Sequence, residues 1–342
     1  MMNAQLQKAM SLPLDKLSRP VHDLRVSVIE ACNFRCPYCM PADKTPEDAV
    51  LQNAARLSFD QIEQAVKAFA KIGVRKVRLT GGEPLLRKNL PDLVERLARI
   101  PELEDIALTT NGSLLEKQAQ ALKQAGLHRL TISLDSLDPD VFSQLSGGRG
   151  QVNDVLNGIE AAEAAGFSSL KINAVIQRGI NEDQVLPLVE KFHGTKHVLR
   201  FIEYMDVGNC NNWSLKDVVP SKELHALINH RWPLQPVSAN YRGEVASRYR
   251  FTDGHGEIGF VSSVSEPFCG DCHRARLSAD GHVYTCLFAG KGHDIRAELD
   301  QGQDSLDQKL IKIWTDRSDR YSELRHSETR QNKKIEMYFI GG

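Results

Sequence analysis

No stretch of this 342-residue chain is apolar for long enough to span a bilayer. The opening residues, MMNAQLQKAMSLPLDKLSRP, hold no continuous apolar core of the kind a secretory signal needs. Charge of neither sign is in excess: 43 Lys and Arg stand against 44 Asp and Glu, so global attraction for nucleic acid or for an anionic membrane is absent. There is no repeat, no coiled-coil heptad and no low-complexity tract. The phosphate cradle G-x4-G-K-[ST] is also missing, because AGKGHD at 289–294 fails at the residue after the lysine. Any phosphate ligand must therefore be met by side-chain cations. Cysteine is scarce, at seven residues. The expected location is cytoplasmic, where thiols stay reduced and clustered ones indicate metal or catalysis rather than disulfides.

Six of the seven cysteines fall into two groups of three, and neither group has a fourth. Cys32, Cys36 and Cys39 follow C-x3-C-x2-C within CNFRCPYCMP, and Cys269, Cys272 and Cys286 follow C-x2-C-x13-C. A closed structural zinc site takes four protein ligands, and an ordinary ferredoxin cluster takes four cysteines. A cubane cluster held by three thiolates leaves one iron open to a small molecule, which turns the count into a function. His273 offers itself as a fourth ligand for a Cys3His zinc site, but a residue adjacent to Cys272 is awkwardly placed to share its metal. Arg274 and Arg276 lie two apart on an expected strand, so they point the same way, and their forks match phosphate oxygens. Cys210 stands alone and reads as an incidental, at least partly buried, thiol.

The first two thirds of the chain alternate strand and helix. Strands are expected over 24–30, 76–80, up to Thr110, up to Leu134, up to Val175 and up to Met205. Helices are expected over 58–73, 90–99, 114–125, 152–165 and 183–193. In the first of these, Phe59, Ile62, Val66, Phe69 and Ile72 form one stripe at spacings of three and four; Ser58 with Gln61 makes a capping box and Gly73 a stop. Crossovers of helical length imply parallel strands. Unusual residues follow each strand in turn, which places a ligand mouth at the carboxyl ends of the strands. The expected fold is α/β, an incomplete (β/α)6 TIM-like barrel. Its organisation is an N-terminal extension over 1–20, the partial barrel over 21–208, and a C-terminal region over 209–342 that covers the open side. Within that last region one short helix and a hairpin, RYRFTDGHGEIGFVSSV, are expected.

The first trio, with Tyr38 just before its last cysteine, and GGEPLLR after the second strand together resemble the radical S-adenosylmethionine (SAM) superfamily. FCGDCHRARLSADGHVYTCLF, RFIEYMDVGN and the ending IGG narrow that likeness. The chain resembles, from about residue 24 to its end, the GTP 3′,8-cyclases, which open molybdenum-cofactor biosynthesis. Two positions depart from the family pattern: His273 stands where asparagine is usual, and MYFIGG lacks the serine that commonly precedes its tyrosine.

The resemblance implies two [4Fe–4S] clusters, one on Cys32, Cys36 and Cys39 for SAM, the other on Cys269, Cys272 and Cys286 for the guanine of GTP. It implies SAM contacts at Tyr38, Gly82, Ser133 and Met205. It implies GTP contacts at Arg25, Arg78, Thr109, Lys171, Arg274 and Arg276, and a catalytic tail at Gly341 and Gly342. It further implies an electron-donor protein and a homodimer, with no nucleic acid and no membrane. Taken alone, Met205 reads as core packing, Lys171 and Arg78 as surface charges, and Gly341-Gly342 as a frayed end. Two other readings remain open: a peptide-modifying radical enzyme whose extra clusters relay electrons, and a metal-bearing binding protein.

Overall fold

A computed structural model of the chain describes residues 12–40, 56–325 and 334–341. Six parallel strands form its middle: β1 (Asp23–Ser27), β2 (Lys76–Thr80), β3 (Asp105–Thr110), β4 (Arg129–Ser133), β5 (Lys171–Ile176) and β6 (Val198–Glu203). They neighbour one another in sequence order. Helices Phe59–Lys71, Leu90–Ala98, Leu115–Gln124, Val152–Ala164 and Val185–Phe192 cross between them, within a residue or two of the expected bounds. The first shows why the expectation works. Ser58 and Gln61 exchange both capping-box hydrogen bonds, and Ile62, Val66 and Phe69 are buried against the sheet. Each such fully buried side chain stabilises by about 1.5–3 kcal/mol. Gly73 ends the helix at φ 122°, and a Cβ there would press on the Val21 carbonyl oxygen.

The C-terminal region does more than lie across the open side. It adds strands to both edges. The hairpin β8 (Ser247–Phe251) and β9 (Glu257–Val261) joins parallel to β6 through β9, with β7 (Leu234–Val237) outermost. At the other edge β10 (Arg274–Leu277) pairs parallel with β1, followed by antiparallel β11 (His282–Tyr284) and β12 (His293–Asp294). Among the described residues, β7 and β12 do not pair, so the barrel stays open. The sheet thus holds eight parallel neighbours, β10-β1-β2-β3-β4-β5-β6-β9, two more than the six expected.

Side chains alternate across this wall with the period of a strand. Leu24, Val26, Val77, Leu79, Leu130 and Ile132 belong to the core beneath the helices. Their neighbours Arg25, Arg78 and Arg129 face a cavity inside the barrel. A closed barrel fills its interior with branched apolar side chains; this one lines it with charge.

Three further elements escaped the sequence reading. Helix Pro139–Leu145 is capped by Asp138, whose side chain accepts from Asp140 and Val141 N–H groups, with Pro139 at its first turn. Helices Arg296–Gln301 and Gln303–Thr315 pack on helix Phe59–Lys71. No helix among the described residues is long and apolar enough to cross a membrane.

Candidate active site

The first cysteine loop leaves β1 and is fixed from all sides. Val28 N–H donates to the Thr80 carbonyl at 2.9 Å. Gly82 N–H reaches the Ile29 carbonyl at 2.7 Å and Glu83 N–H the Ala31 carbonyl at 2.8 Å. A Cβ at Gly82 would collide with the carbonyl oxygens of Glu30 and Ala31, so glycine is required for this close approach. Glu83 is buried and accepts from Thr110 Oγ1 at 2.7 Å and Asn111 N–H at 2.8 Å. Burial pushes its carboxyl up to about 7 against those donors. Within the loop, Cys39 and Met40 N–H groups both bond the Cys36 carbonyl, at 3.0 and 2.8 Å. Tyr38 donates its hydroxyl to Asp135 at 2.6 Å, and Asp135 is pushed up to about 6 by burial.

The three thiols are packed where bare thiolates are disfavoured. Burial raises Cys32 to about 12, with Glu83 adding to it. Burial and then the neighbouring cysteines and Asp135 raise Cys36, and burial with Cys32 raises Cys39. A cationic centre would relieve all three. Cys210 lies near enough to Cys39 to raise its thiol, a proximity that its sequence position, after β6, does not suggest.

The second trio opens on the barrel interior. Cys269, Cys272 and Cys286 all line a cavity of about 440 Å³ together with Arg25, Arg78, Thr109, Lys171, Arg274, Arg276 and Met205. Every expected GTP contact is thereby gathered in one space, within the usual range for ligand pockets. Tyr38, Gly82, Ser133 and the first trio are not on that lining. Of these basic residues, expected at strand ends or in the second cysteine loop, those at strand ends lie at the amino end and the others mid-strand. Lys171 is the first residue of β5, Arg274 the first of β10, and Arg25, Arg78 and Arg276 lie mid-strand. The charge gathers inside the barrel because alternate side chains of neighbouring strands share its inner face: Arg25 stands in register with Arg78 on one side and Arg276 on the other.

Five cations on this lining were missed: Lys76, Arg129, Arg200, Arg248 and Arg317. The spacing argument that paired Arg274 with Arg276 applies equally to Lys76 with Arg78, and was the available signal. Hydrogen bonds hold the set in place. Arg78 Nη1 donates to Thr109 and Thr131 hydroxyls, both at 2.9 Å. Arg200 Nε donates to Asn173 at 3.0 Å, and Arg129 Nε to Asp105 at 2.8 Å. Burial pushes Lys171 down to about 7, assisted by Arg200, Arg129, Lys76 and Arg78. Burial also lowers Lys76 to about 8 although Asp23, 3.7 Å away, opposes it. Cations pressed toward neutrality by burial and by one another are suited to a polyanion.

The cysteines of this trio differ among themselves. Burial alone would raise Cys272, but Arg274 and Arg317 outweigh it and bring the thiol down to about 6. Burial, with Asp319, raises Cys286 to about 12. His273 turns away from this chemistry. Its ring lies with His22 and Asp23, the three ligand atoms within 4.8 Å of one another, and Asp23 is already paired with Lys76. The Cys3His zinc reading finds no support in that placement.

The tail is anchored rather than frayed. Lys334 Nζ bonds Asp206 at 2.7 Å and Glu336 accepts from Asn209 N–H at 3.0 Å. Burial would push Asp206 up, but Lys334, Tyr321 and Arg325 hold it below its usual value. Ile340 and Gly341 are buried, and Arg276 Nη1 donates to the Gly341 carbonyl. Gly342 lies outside the described residues.

Known proteins resemble the chain along nearly its whole length. The radical SAM superfamily profile matches residues 26–192, and the Molybdenum Cofactor Synthesis C profile residues 197–323. A GTP 3′,8-cyclase of Xanthomonas campestris pv. campestris (strain B100) is 62% identical over 96% of this chain and 97% of its own. One from Acidothermus cellulolyticus is 47% identical over 96% and 98%. Among solved structures, Streptococcus suis SuiB bound to S-adenosylmethionine superposes with TM-score 0.60 at 16% identity, covering 87% of this chain and 66% of that one. That likeness bears on the fold alone.

Proposed function

The chain belongs to the GTP 3′,8-cyclase family of the radical SAM superfamily, and from that premise we propose how its residues divide the work. The reaction converts GTP to (8S)-3′,8-cyclo-7,8-dihydroguanosine 5′-triphosphate and cleaves SAM to methionine and 5′-deoxyadenosine, the first step of molybdenum-cofactor biosynthesis. A [4Fe–4S] cluster with SAM supplies, when bound, the electron and the 5′-deoxyadenosyl group that takes hydrogen from ribose C3′.

Cys32, Cys36 and Cys39 would hold that cluster, on the chemistry of their buried thiols. Tyr38, Gly82, Ser133 and Met205 border SAM. Cys269, Cys272 and Cys286 would hold a second cluster, which would supply a binding position for guanine. Arg25, Arg78, Thr109, Lys171, Arg274 and Arg276 hold the triphosphate, joined by Lys76, Arg129 and Arg200. The Gly341–Gly342 tail serves catalysis, with Gly341 held by Arg276. Residues 21–208 carry the radical chemistry and 209–342 the substrate side, in a cytoplasmic homodimer served by an electron-donor protein.

The observation that carries this division is the shared cavity: the second cysteine trio and the buried cations line the same space. The sugar and phosphates of a nucleotide bound to the trio would lie against those cations, with no glycine cradle required. Iron analysis tests it. The anaerobically reconstituted chain is expected to hold about eight irons, and the Cys272→Ser chain about four, with loss of GTP binding. Full GTP binding by a four-iron Cys272→Ser chain would refute the substrate-side role.

A further inference from the structure

Arg317 reaches the second trio from the cavity wall, which it shares with Cys269, Cys272 and Cys286. Its Nη2 lies 3.3 Å from Cys272 Sγ, and its Nη1 donates to the Cys272 carbonyl at 2.6 Å. Arg274 also approaches this sulfur, but at 3.9 Å, and its guanidinium lies over the Phe268 ring on the cavity side. Two cations on the cavity lining therefore bracket Cys272, and Arg317 is the closer of them.

The closer cation is locked. The Arg317 side chain is 1% exposed. Its Nη1 also pairs with Asp15 at 3.2 Å, its Nε with Asp319 at 3.3 Å, and its guanidinium stacks on Trp314 at 4.7 Å. Asp15 belongs to the short segment before β1, and that segment is itself tied to the trio. Arg19 Nε donates to Asp15 at 2.6 Å and Arg19 Nη1 to the Cys269 carbonyl at 2.6 Å. Trp314 Nε1 closes the ring by donating to the Arg19 carbonyl at 3.0 Å. Such a network leaves Nε, Nη1 and Nη2 of the guanidinium all engaged within the protein. It fixes an N–H donor on a sulfur.

Resting on the assignment of a cluster to Cys269, Cys272 and Cys286, we infer that Arg317 sets the reduction potential of that cluster through its hydrogen bond to Cys272 Sγ. The reduced state of a cluster carries one more negative charge than the oxidised state. A cation and donor held on a ligating sulfur stabilise that extra charge and raise the potential. Residues 12–20, which have no part in the barrel, thereby gain a role: they hold Arg317 at its angle.

The test is a potentiometric titration followed by electron paramagnetic resonance, with dithionite supplying the electron. It uses the full-length chain carrying Cys32→Ser, Cys36→Ser and Cys39→Ser, so that only the second cluster contributes. Iron and sulfide are counted in each sample. Arg317→Met is expected to make the midpoint more negative at unchanged iron content, and Arg317→Lys to move it part of the way. If Arg317→Met fails to keep its iron, the lysine chain carries the comparison and must still fall below the parent. Equal midpoints in chains that hold four irons would overturn the inference and leave the cluster assignment standing. Absence of iron from the parent triple-serine chain would overturn both.

Discussion

Arg276 binds the tail and the cavity with one side chain: its Nη1 donates to the carbonyl oxygen of Gly341, while the residue lines the space shared with Cys272 and Cys286. Gly341 in turn lies on Thr80, at φ 70°. Gly341 therefore rests where β2 and β10 deliver their inward side chains.

Gly341→Ala tests whether that seat matters. A Cβ at this position would collide with the Thr80 side chain, in a backbone conformation that costs an L-residue about 1–2 kcal/mol. The tail should be displaced without disturbing the barrel. GTP turnover is expected to fall at least about tenfold, with iron content and reductive SAM cleavage near parental values. Chromatography of 5′-deoxyadenosine and of the nucleotide product in one reaction checks both. Undiminished GTP turnover would remove the tail from the mechanism.

Arg274→Ala and Arg276→Ala should discriminate between the two ligands. Losing a charge-assisted hydrogen bond costs about 1.5–3 kcal/mol, so GTP affinity should fall by roughly 10- to 100-fold. SAM affinity should change far less, because neither residue belongs to the first cysteine loop. Equilibrium dialysis with each ligand under anaerobic conditions decides this, and equal losses for GTP and SAM would count against the assignment.

The lysines give the site a pH dependence. Lys171 is held down to about 7 and Lys76 to about 8. A bound triphosphate favours their charged forms, so binding should take up protons above pH 7, and GTP affinity should weaken as pH rises from 7 to 9. Each coupled lysine contributes at most about tenfold per pH unit. For folding the sign is opposite: between 7 and the usual lysine value the unfolded chain binds more protons, so these two groups make stability rise with pH. Calorimetric titration of GTP in two buffers of different ionisation enthalpy measures the uptake. Lys171→Met should reduce it, and proton release in the parent would contradict the picture.

The two cysteine groups should separate by the step they serve. Cys36→Ser is expected to abolish SAM cleavage altogether. Cys272→Ser is expected to retain some 5′-deoxyadenosine formation while losing product from GTP. Loss of both steps to the same extent in Cys272→Ser would mean that the second trio only supports the fold.

Much of this was legible because strand and helix announce themselves locally. The stripe from Phe59 to Phe69, the Ser58 cap and the Gly73 stop are all within one segment. The two cysteine spacings are local too. The sequence could not reveal that β10 pairs with β1, or β9 with β6, since those partners meet only in the folded chain. Those pairings bring Arg276 beside Arg25 and turn scattered charges into one cavity. Lys76 and Arg78 were readable as a same-face pair, and the Asp138-Pro139 start of a helix was readable as a cap. Arg317 on Cys272 was not readable, because 45 positions separate them and nothing periodic links them.

The most direct measurement is an anaerobic incubation of the reconstituted chain with GTP, SAM and dithionite. The hydrogen removed from C3′ is balanced by the electron and proton added at the end, so the product is an isomer of GTP. The expected result is a new nucleotide of GTP's mass and different retention, formed in step with 5′-deoxyadenosine and methionine. Formation of 5′-deoxyadenosine while all the GTP is recovered unchanged would contradict the account.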